Sequence, residues 1–423
     1  MLRQEDNQIL CRVGPGTPMG DLMRQYWIPT VRSDELVSPD SPPVRIKLLG
    51  EELVAFRDTD GNIGLIDNYC PHRRASLFFG RNEECGLRCV YHGWKFDVNG
   101  DCVDMPSEPA ESNFKDKVKI TAYPCIERNG VIWAYMGLRD APPPLPELEG
   151  NMVENPTITV LYRKNNWMQG IEGELDTIHA AFLHGGERRI TNAEPGSFAY
   201  YTAKSREGVF DVRDTAHGTS YGMERPAEVD TSYWRIGHLL FPFYAMPPGA
   251  STLGEDARFL AYVPMDDENT LEWSVGVRSP QATAQGSQGR EYIPNTSTWH
   301  GRFVIEQNWE NDFKIDREAQ SSWQSYTGIA GIRQQDMAMT EGMGRILDRT
   351  NEHLGTTDQM IIRTRRRYIA AAKALREDGA IPPGVDQPKA YHQRSGQVIL
   401  PKGDWWDQTK ELRERFDADS VKA

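Results

Sequence analysis

The sequence predicts an α+β chain of two domains, and three observations carry that prediction. Short apolar segments with tight-turn dipeptides fill the stretch from Val44 to Met136, a proline run follows at Ala141–Pro146, and helical patterning then mixes with strand-like segments. Residues 1–145 are accordingly read as an all-β domain with an N-terminal extension, and residues 146–423 as an α+β domain with C-terminal helices. With 423 residues, each part is long enough to bury its own core.

In the first domain Val44, Ile46 and Leu48 alternate with polar residues, the period of a half-buried strand. Strand-like segments follow at Leu53–Phe56, Ile63–Ile66, Val118–Ala122 and Val131–Tyr135. Asp60-Gly61, Asn99-Gly100 and Asn129-Gly130 tolerate the positive φ that tight hairpins require. Consecutive prolines continue neither a helix nor a central strand, so Ala141–Pro146 reads as the link. Beyond it the pattern predicts a helix over Trp167–Leu183 and strands around Val209–Val212, Tyr233–Leu240, Phe259–Val263 and Leu271–Val277. A long helical tail is expected from Gln334 to Leu375, with Gly355 as an interruption.

Composition excludes several classes. A net charge of -13 disfavours nucleic acid, whose phosphates need clustered Lys and Arg. The one basic run, Arg363, Arg365, Arg366 and Arg367, reads as a solvated helix face or as a dock for an acidic partner. No apolar run approaches the roughly 20 residues of a spanning helix. Met1–Asp6 has no basic start followed by an apolar stretch, so no membrane association and a cytoplasmic location are expected. Six cysteines in such a chain argue against a disulfide framework and direct attention to metal ligation. Gly14-Pro15-Gly16 follows no strand and opens no βαβ unit, so no dinucleotide site is expected there.

The first metal signal is Cys70-Pro71-His72 with Cys89-Val90-Tyr91-His92. Two thiolates and two imidazoles suit a tetrahedral zinc site or a Rieske-type [2Fe-2S] cluster. Each loop contributes one Cys and one His, so one iron can take both sulfurs and the other both nitrogens, which favours the cluster. Cys11, Cys85, Cys102 and Cys125 are expected to be small buried or partly buried residues.

The second signal is Glu172, Asp176, His179 and His184, followed by Gly185-Gly186. On a helix, Asp176 and His179 share a face. His184 lies five positions on, off that face, unless the glycines stop the helix and let the chain turn. Two imidazoles and one carboxylate form the facial triad of non-haem Fe(II) oxygenases. The carboxylate must come from elsewhere, with Asp336, Glu341 and Asp312 as candidates.

Cys70-Pro71-His72-Arg73 and Cys89-Val90-Tyr91-His92-Gly93-Trp94-Lys95-Phe96 resemble the two ligand loops of the Rieske non-haem iron oxygenases. Ala75–Gly80, Asp104–Glu108, Phe241–Pro248 and Gln335–Met343 are similar to the branch containing phthalate 4,5-dioxygenase and the aryl-ether O-demethylases. In the respiratory branch of Rieske proteins each loop carries a further, disulfide-forming Cys; here Ala75 and Tyr91 stand in those places, which fits the oxygenase type.

The resemblance implies an N-terminal Rieske [2Fe-2S] domain and a catalytic domain with an antiparallel β-sheet flanked by helices, of the helix-grip, START-like kind. It implies Cys70, His72, Cys89 and His92 as cluster ligands, and His179, His184 and Asp336 as ligands of a mononuclear Fe(II) that uses O2. Asp176 would be an intersubunit bridge for electrons, linking His179 to His92 of the partner subunit, in a homotrimer or hexamer. Glu172 reads as a surface or interface carboxylate. NADH would act indirectly, through a flavin and iron–sulfur reductase with or without a ferredoxin. The expected function is the terminal oxygenase component that hydroxylates an aromatic, carboxylated substrate, by ring cis-dihydroxylation or by O-demethylation. Thr177, Arg206, Arg235, His238 and Tyr244 are the substrate-pocket candidates, the arginines because they pair bidentately with carboxylates. A Rieske electron-transfer protein without oxygenase activity is the alternative, and it predicts no iron ligands in the second domain. A zinc-stabilised binding module is a further rival, and it predicts a colourless protein.

Overall fold

The computed structural model describes residues 2–109, 111–185, 193–277 and 290–417. Helices α1 (Gln4–Cys11) and α2 (Pro18–Met23) open the chain, the second started by Thr17, whose hydroxyl accepts from Gly20 N, and by Pro18 in the first turn. Strands β1 (Trp27–Arg32), β2 (Val44–Leu48), β3 (Glu51–Arg57), β4 (Ile63–Asp67), β5 (Arg81–Asn82), β6 (Leu87–Arg88), β7 (Lys95–Phe96), β8 (Cys102–Asp104), β9 (Cys125–Arg128) and β10 (Val131–Tyr135) follow. They form antiparallel sheets ordered β1-β10-β9, β2-β3-β4 and β5-β6-β7-β8. Asn129 and Gly130 both take positive φ, as the two-residue hairpin between β9 and β10 requires. Val118–Ala122, expected as a strand, makes only isolated bridges, Lys119 to Asp101 and Ala122 to Ile66.

The second half is built on one antiparallel sheet: β11 (Thr157–Arg163), β12 (Val209–Asp214), β13 (Gly218–Pro226), β14 (Thr231–Leu240), β15 (Tyr244–Met246), β16 (Ala257–Pro264), β17 (Thr270–Val277) and β18 (Gly396–Pro401). Its order is β11-β17-β16-β15-β14-β13-β12, with β18 also paired to β14. Helices α3 (Trp167–Leu175) and α7 (Gln359–Asp378) lie against it, and α4 (Phe198–Lys204), α5 (Arg317–Ser321) and α6 (Ile332–Gly342) complete this half, α6 packing on α3. Helix α3 sits close to β16 because Gly170 faces Tyr262, where a Cβ would stand 2.2 Å from the ring. One turn further on, Gly173 lets α6 approach, with Thr340 Cγ2 at 3.2 Å from a Cβ there. That seating fixes the site.

Two expectations about helices are corrected. The helix expected over Trp167–Leu183 ends at Leu175 and resumes after a break as a different kind of turn. The long helical tail is two helices, α6 and α7, with irregular chain from 343 to 355 and a 3-10 turn, Thr356–Asp358, between them; buried Arg349 ties that segment down. Helix α7 stops at Gly379, which takes the left-handed conformation with φ 66.

The proline run packs down: Trp27 Nε1 donates to Pro143 O at 2.7 Å, and Arg128 to Pro146 O at 2.7 Å. Helices α1 and α2 lie on α7, with Lys373 Nζ 3.1 Å from Asp6 Oδ1. One core runs from Leu10 and Trp133 through Trp167 and Tyr244 to Tyr368, and a smaller one, around Val54, Leu77, Leu87 and Phe96, lies under the two Cys-His loops. Among the described residues no helix is long and apolar enough to cross a membrane.

Candidate active site and metal centres

The two Cys-His loops fold alike. Cys70 N donates to Ala75 O (2.9 Å) and Arg74 N to Cys70 O (2.8 Å); Cys89 N donates to Trp94 O (2.8 Å) and Gly93 N to Cys89 O (2.9 Å). Arg74 and Gly93, at the same place in each loop, take positive φ of 60° and 81° and turn the chain. Both thiols face the smaller core, 1% and 3% exposed, whereas His72 and His92 are only half-buried. The two imidazole centroids are 4.4 Å apart, and His72 stacks on Trp94 at 4.5 Å. Burial pushes the Cys70 thiol up to about 12, and neighbouring Cys89 adds to the rise. Cys70 therefore stays protonated until a metal displaces its proton. The four other cysteines bond within the protein: Cys11 to Asn7 Oδ1, Cys85 to Asp60, Cys102 to Asp104 O and Cys125 to Tyr123 O.

The second constellation begins where α3 ends. Asp176 is its C-cap, and Asp176 Oδ1 accepts from Ile178 N (2.9 Å) and His179 N (3.2 Å). The next turn, Ala180–His184, is π-helical. Hydrogen bonds five residues apart stack such residues over one another, so His179 and His184 point to one place, with Nε2 to Nε2 at 3.2 Å. This corrects the expected α-helical face and glycine stop: Gly185 keeps helical angles (φ -89, ψ -34), and Gly186 lies outside the described residues.

Helix α6 brings Asp336 to the same point, Oδ1 at 3.4 Å from His179 Nε2 and 3.0 Å from His184 Nε2. Donor atoms of His179, His184 and Asp336 all lie within 4.8 Å of one another. The alternative carboxylates lie elsewhere: Glu341 accepts from Lys164 N at 3.2 Å and sits 3.8 Å from Arg163, and Asp312 is exposed. Burial would raise the Asp336 carboxyl, but bonds from His179 and His184 hold it well below the usual range. Burial would likewise lower His179, and Asp336 raises it.

Around these three lie residues that sequence reading did not single out. Gln335 Oε1 is 2.8 Å from His184 Nδ1, and Arg333 stands 3.7 Å from Asp336 Oδ2 while binding Glu174 and Glu272. Asp176, which the sequence did single out, has Oδ2 3.8 Å from His179 Nδ1. The flanking positions of Gln335 and Arg333 on α6 were the only signal, and it becomes readable once Asp336 is placed.

The Rieske [2Fe-2S] domain family matches residues 26–124, and the LigXa C-terminal domain-like family matches residues 134–422. The chain is a Rieske oxygenase alpha subunit. It is 45% identical over 98% of its length to the 3-chlorobenzoate-3,4-dioxygenase oxygenase subunit of Comamonas testosteroni, covering 99% of that protein. It is 38% identical to the phthalate 4,5-dioxygenase oxygenase subunit of Pseudomonas putida, over 96% of this chain and 94% of the relative. It is 36% identical to the 5,5'-dehydrodivanillate O-demethylase oxygenase subunit of a Sphingobium species, over 87% and 80% respectively. In fold it resembles dicamba monooxygenase bound to 3,6-dichlorosalicylic acid, with a TM-score of 0.58 at 16% identity over 84% of this chain and 99% of that one. A Rieske oxygenase alpha subunit uses a [2Fe-2S] cluster, a mononuclear iron and dioxygen.

The residues present fit both groups. His72 Nδ1 is buried without a hydrogen-bond partner, as an imidazole nitrogen reserved for a metal would be. At the other centre two imidazole nitrogens and one carboxylate oxygen converge, and the far ring nitrogen of His184 is engaged by Gln335.

The cavity of this oxygenase subunit lies over the triad, walled by Thr177, Arg235, Pro247, Arg258, Tyr262 and Ile332. Arg235 Nε donates to Thr177 Oγ1 at 2.6 Å, and its terminal nitrogens reach Pro248 O and Gly249 O. Three other pocket candidates are corrected. His238 is three residues from Arg235 on β14, so it points through the opposite face of the sheet, where it is fully buried and bonded to Ser220 Oγ (2.7 Å) and Arg394 O (3.0 Å). Tyr244 is a core residue whose hydroxyl donates to Trp27 O at 3.0 Å. Arg206 is exposed and lies over the Phe182 ring at 5.0 Å.

Two bland readings also change. Glu172 is buried, 2.8 Å from Arg349 and 2.6 Å from Arg365. Arg365 therefore leaves the solvated basic face, which keeps exposed Arg363 and Arg366; Arg363 and Arg367 pair with Asp214.

Proposed function

We propose that this subunit hydroxylates an aromatic, carboxylated substrate, by ring cis-dihydroxylation or O-demethylation, with electrons drawn from NADH through a separate flavin and iron–sulfur reductase, with or without a ferredoxin. The observation that carries the reading is the convergence of His179, His184 and Asp336 at one end of a cavity with cationic walls. In it, those three residues hold the iron, and Cys70, His72, Cys89 and His92 hold the cluster. When bound, the iron supplies dioxygen activation and the cluster supplies single electrons. Support for an aromatic substrate comes from the relatives named for chlorobenzoate, phthalate and dehydrodivanillate.

The chain's own groups set position. Gln335 and Asp176 orient the two histidines, and Thr177 with Arg235 braces the Pro248–Gly249 wall. Asp176 spends Oδ1 on the backbone amides of Ile178 and His179 and leaves Oδ2 3.8 Å from His179 Nδ1, on a side chain 32% exposed. That spare oxygen suits a bridge to His92 of the partner subunit in a homotrimer or hexamer. The half-buried cluster histidines, ringed by exposed Val90 and Tyr91, suit docking of the electron donor. A division of the chain at residues 145 and 146 belongs to the same reading.

The test is product analysis by mass spectrometry after incubation with a surrogate reductase, NADH, oxygen and a panel of phthalates, benzoates and methoxylated aromatic acids. Gain of two oxygens and two hydrogens marks cis-dihydroxylation; loss of a methylene with formaldehyde marks O-demethylation. Oxidation of neutral aromatics alone would remove the carboxylate from the reading.

A further inference from the structure

Arg258 and Tyr262 lie four residues apart on β16, so both point from one face of the sheet into the cavity over the triad. Across β17 the partner of Arg258 is Gly276, which has no side chain to meet it. Among the described residues Arg258 makes no hydrogen bond and no ion pair. The carboxylates near it are engaged by other groups. Glu174 accepts from the Tyr262 hydroxyl at 2.6 Å and binds Arg333. Glu272 binds Arg163 at 2.5 Å and Arg333 at 3.1 Å. Asp256, on the same cavity wall, forms no ion pair with Arg258.

Another arginine of this wall, Arg235, differs. Arg235 is already held by Thr177 Oγ1 and the carbonyls of Pro248 and Gly249, so it serves as a brace. Arg258 has its whole donor fork free. Burial lowers its guanidinium to about 10, and like-charged Arg333 adds to the fall, which leaves it cationic at neutral pH. A part-buried cation without a partner is unfavourable, and an anion with two oxygens relieves that cost best.

We propose that Arg258 is the carboxylate-binding residue of the substrate pocket: its guanidinium takes the carboxylate of an aromatic acid in a bidentate pair and so decides which ring atoms face the triad. This rests on the reading of the cavity as an aromatic-acid site.

The experiment is calorimetric titration of the holoenzyme with benzoate, benzene-1,2-dicarboxylate and 3-methoxybenzoate, each beside its neutral methyl ester. Wild type is expected to prefer at least one acid over its ester. Arg258→Met is expected to weaken that acid about 10- to 100-fold, the worth of one charge-assisted pair, and to leave the ester unchanged. Arg258→Lys is expected to fall between, and it carries the test if Arg258→Met loses its cluster or iron. Wild type without preference for any acid would overturn the aromatic-acid reading and this proposal with it. Wild type that prefers an acid, with variants that keep the preference undiminished, would overturn the role of Arg258 alone.

Discussion

Nδ1 of His184 lies 2.8 Å from Oε1 of Gln335, whose amide nitrogen donates to Thr327 Oγ1 at 3.1 Å and to Ile329 O at 2.9 Å. A backbone carbonyl only accepts, so the amide cannot be flipped and its oxygen must receive the proton of His184 Nδ1. Once a metal displaces the proton that His184 Nε2 shares with Asp336, the lone pair of His184 is left on Nε2, facing the ion. Gln335 and Asp336 are neighbours on α6, so one helix supplies a carboxylate and also fixes the tautomer of a histidine from another segment.

Gln335→Leu removes that acceptor. The expected result is a 10- to 100-fold loss of affinity for the mononuclear iron, the usual cost of losing such a partner, with the visible spectrum of the cluster intact. Competition with a graded chelator measures it, and unchanged affinity would take Gln335 out of the account.

Asp336→Ala is expected to abolish mononuclear iron binding and turnover while the [2Fe-2S] cluster remains. Asp312→Ala, in an exposed turn, is expected to keep both metals. Metal analysis of the purified variants decides, and full iron occupancy in Asp336→Ala would send the third ligand elsewhere.

Asp176→Asn keeps an oxygen to accept from Ile178 N and His179 N, so the local fold should survive. The expected outcome is normal cluster and iron content with turnover nearly lost, and with the reduced cluster failing to reoxidise when substrate and oxygen are added. Wild-type turnover would remove the bridge.

Glu172 is a test of stability. Burial would raise its carboxyl, but Arg349 and Arg365 more than offset this and hold it lowered. A carboxylate with a depressed folded-state pKa contributes stability above its unfolded value, near 4.3, and loses it as pH falls through the lower folded value. Glu172→Gln leaves two buried guanidiniums short of an anion, one of which keeps Glu352, so a cost of about 3 kcal/mol is expected at pH 7. Thermal unfolding should show the gap between wild type and variant to be full at neutral pH and to shrink below about pH 4. A gap that is absent at pH 7 would show the cluster of charges to be energetically neutral.

Much of this protein was legible because its chemistry is written in short segments. Two Cys-His loops of six residues each, and His179 with His184 five residues apart, carry their donor atoms in the sequence itself, and these determined the family and its cofactors. The hairpin turns at Gly61, Gly100 and Gly130 were readable for the same reason, since φ preference is a property of single residues.

What only the tertiary structure decided is non-local. The sequence placed Arg235 and His238 in one group, whereas strand alternation sends them to opposite faces, and nothing local says which face is the pocket. Strand β18 was missed because its partner β14 lies far back in the chain. Glu172 looked like a surface carboxylate until residues 177 and 193 positions away closed over it. The π turn that aligns the histidines was hidden too, because a turn widened by one residue is set by what holds its ends, here Asp176 before it and α6 beside it. Residue types and spacings fixed which donors this protein has, and packing fixed where they point.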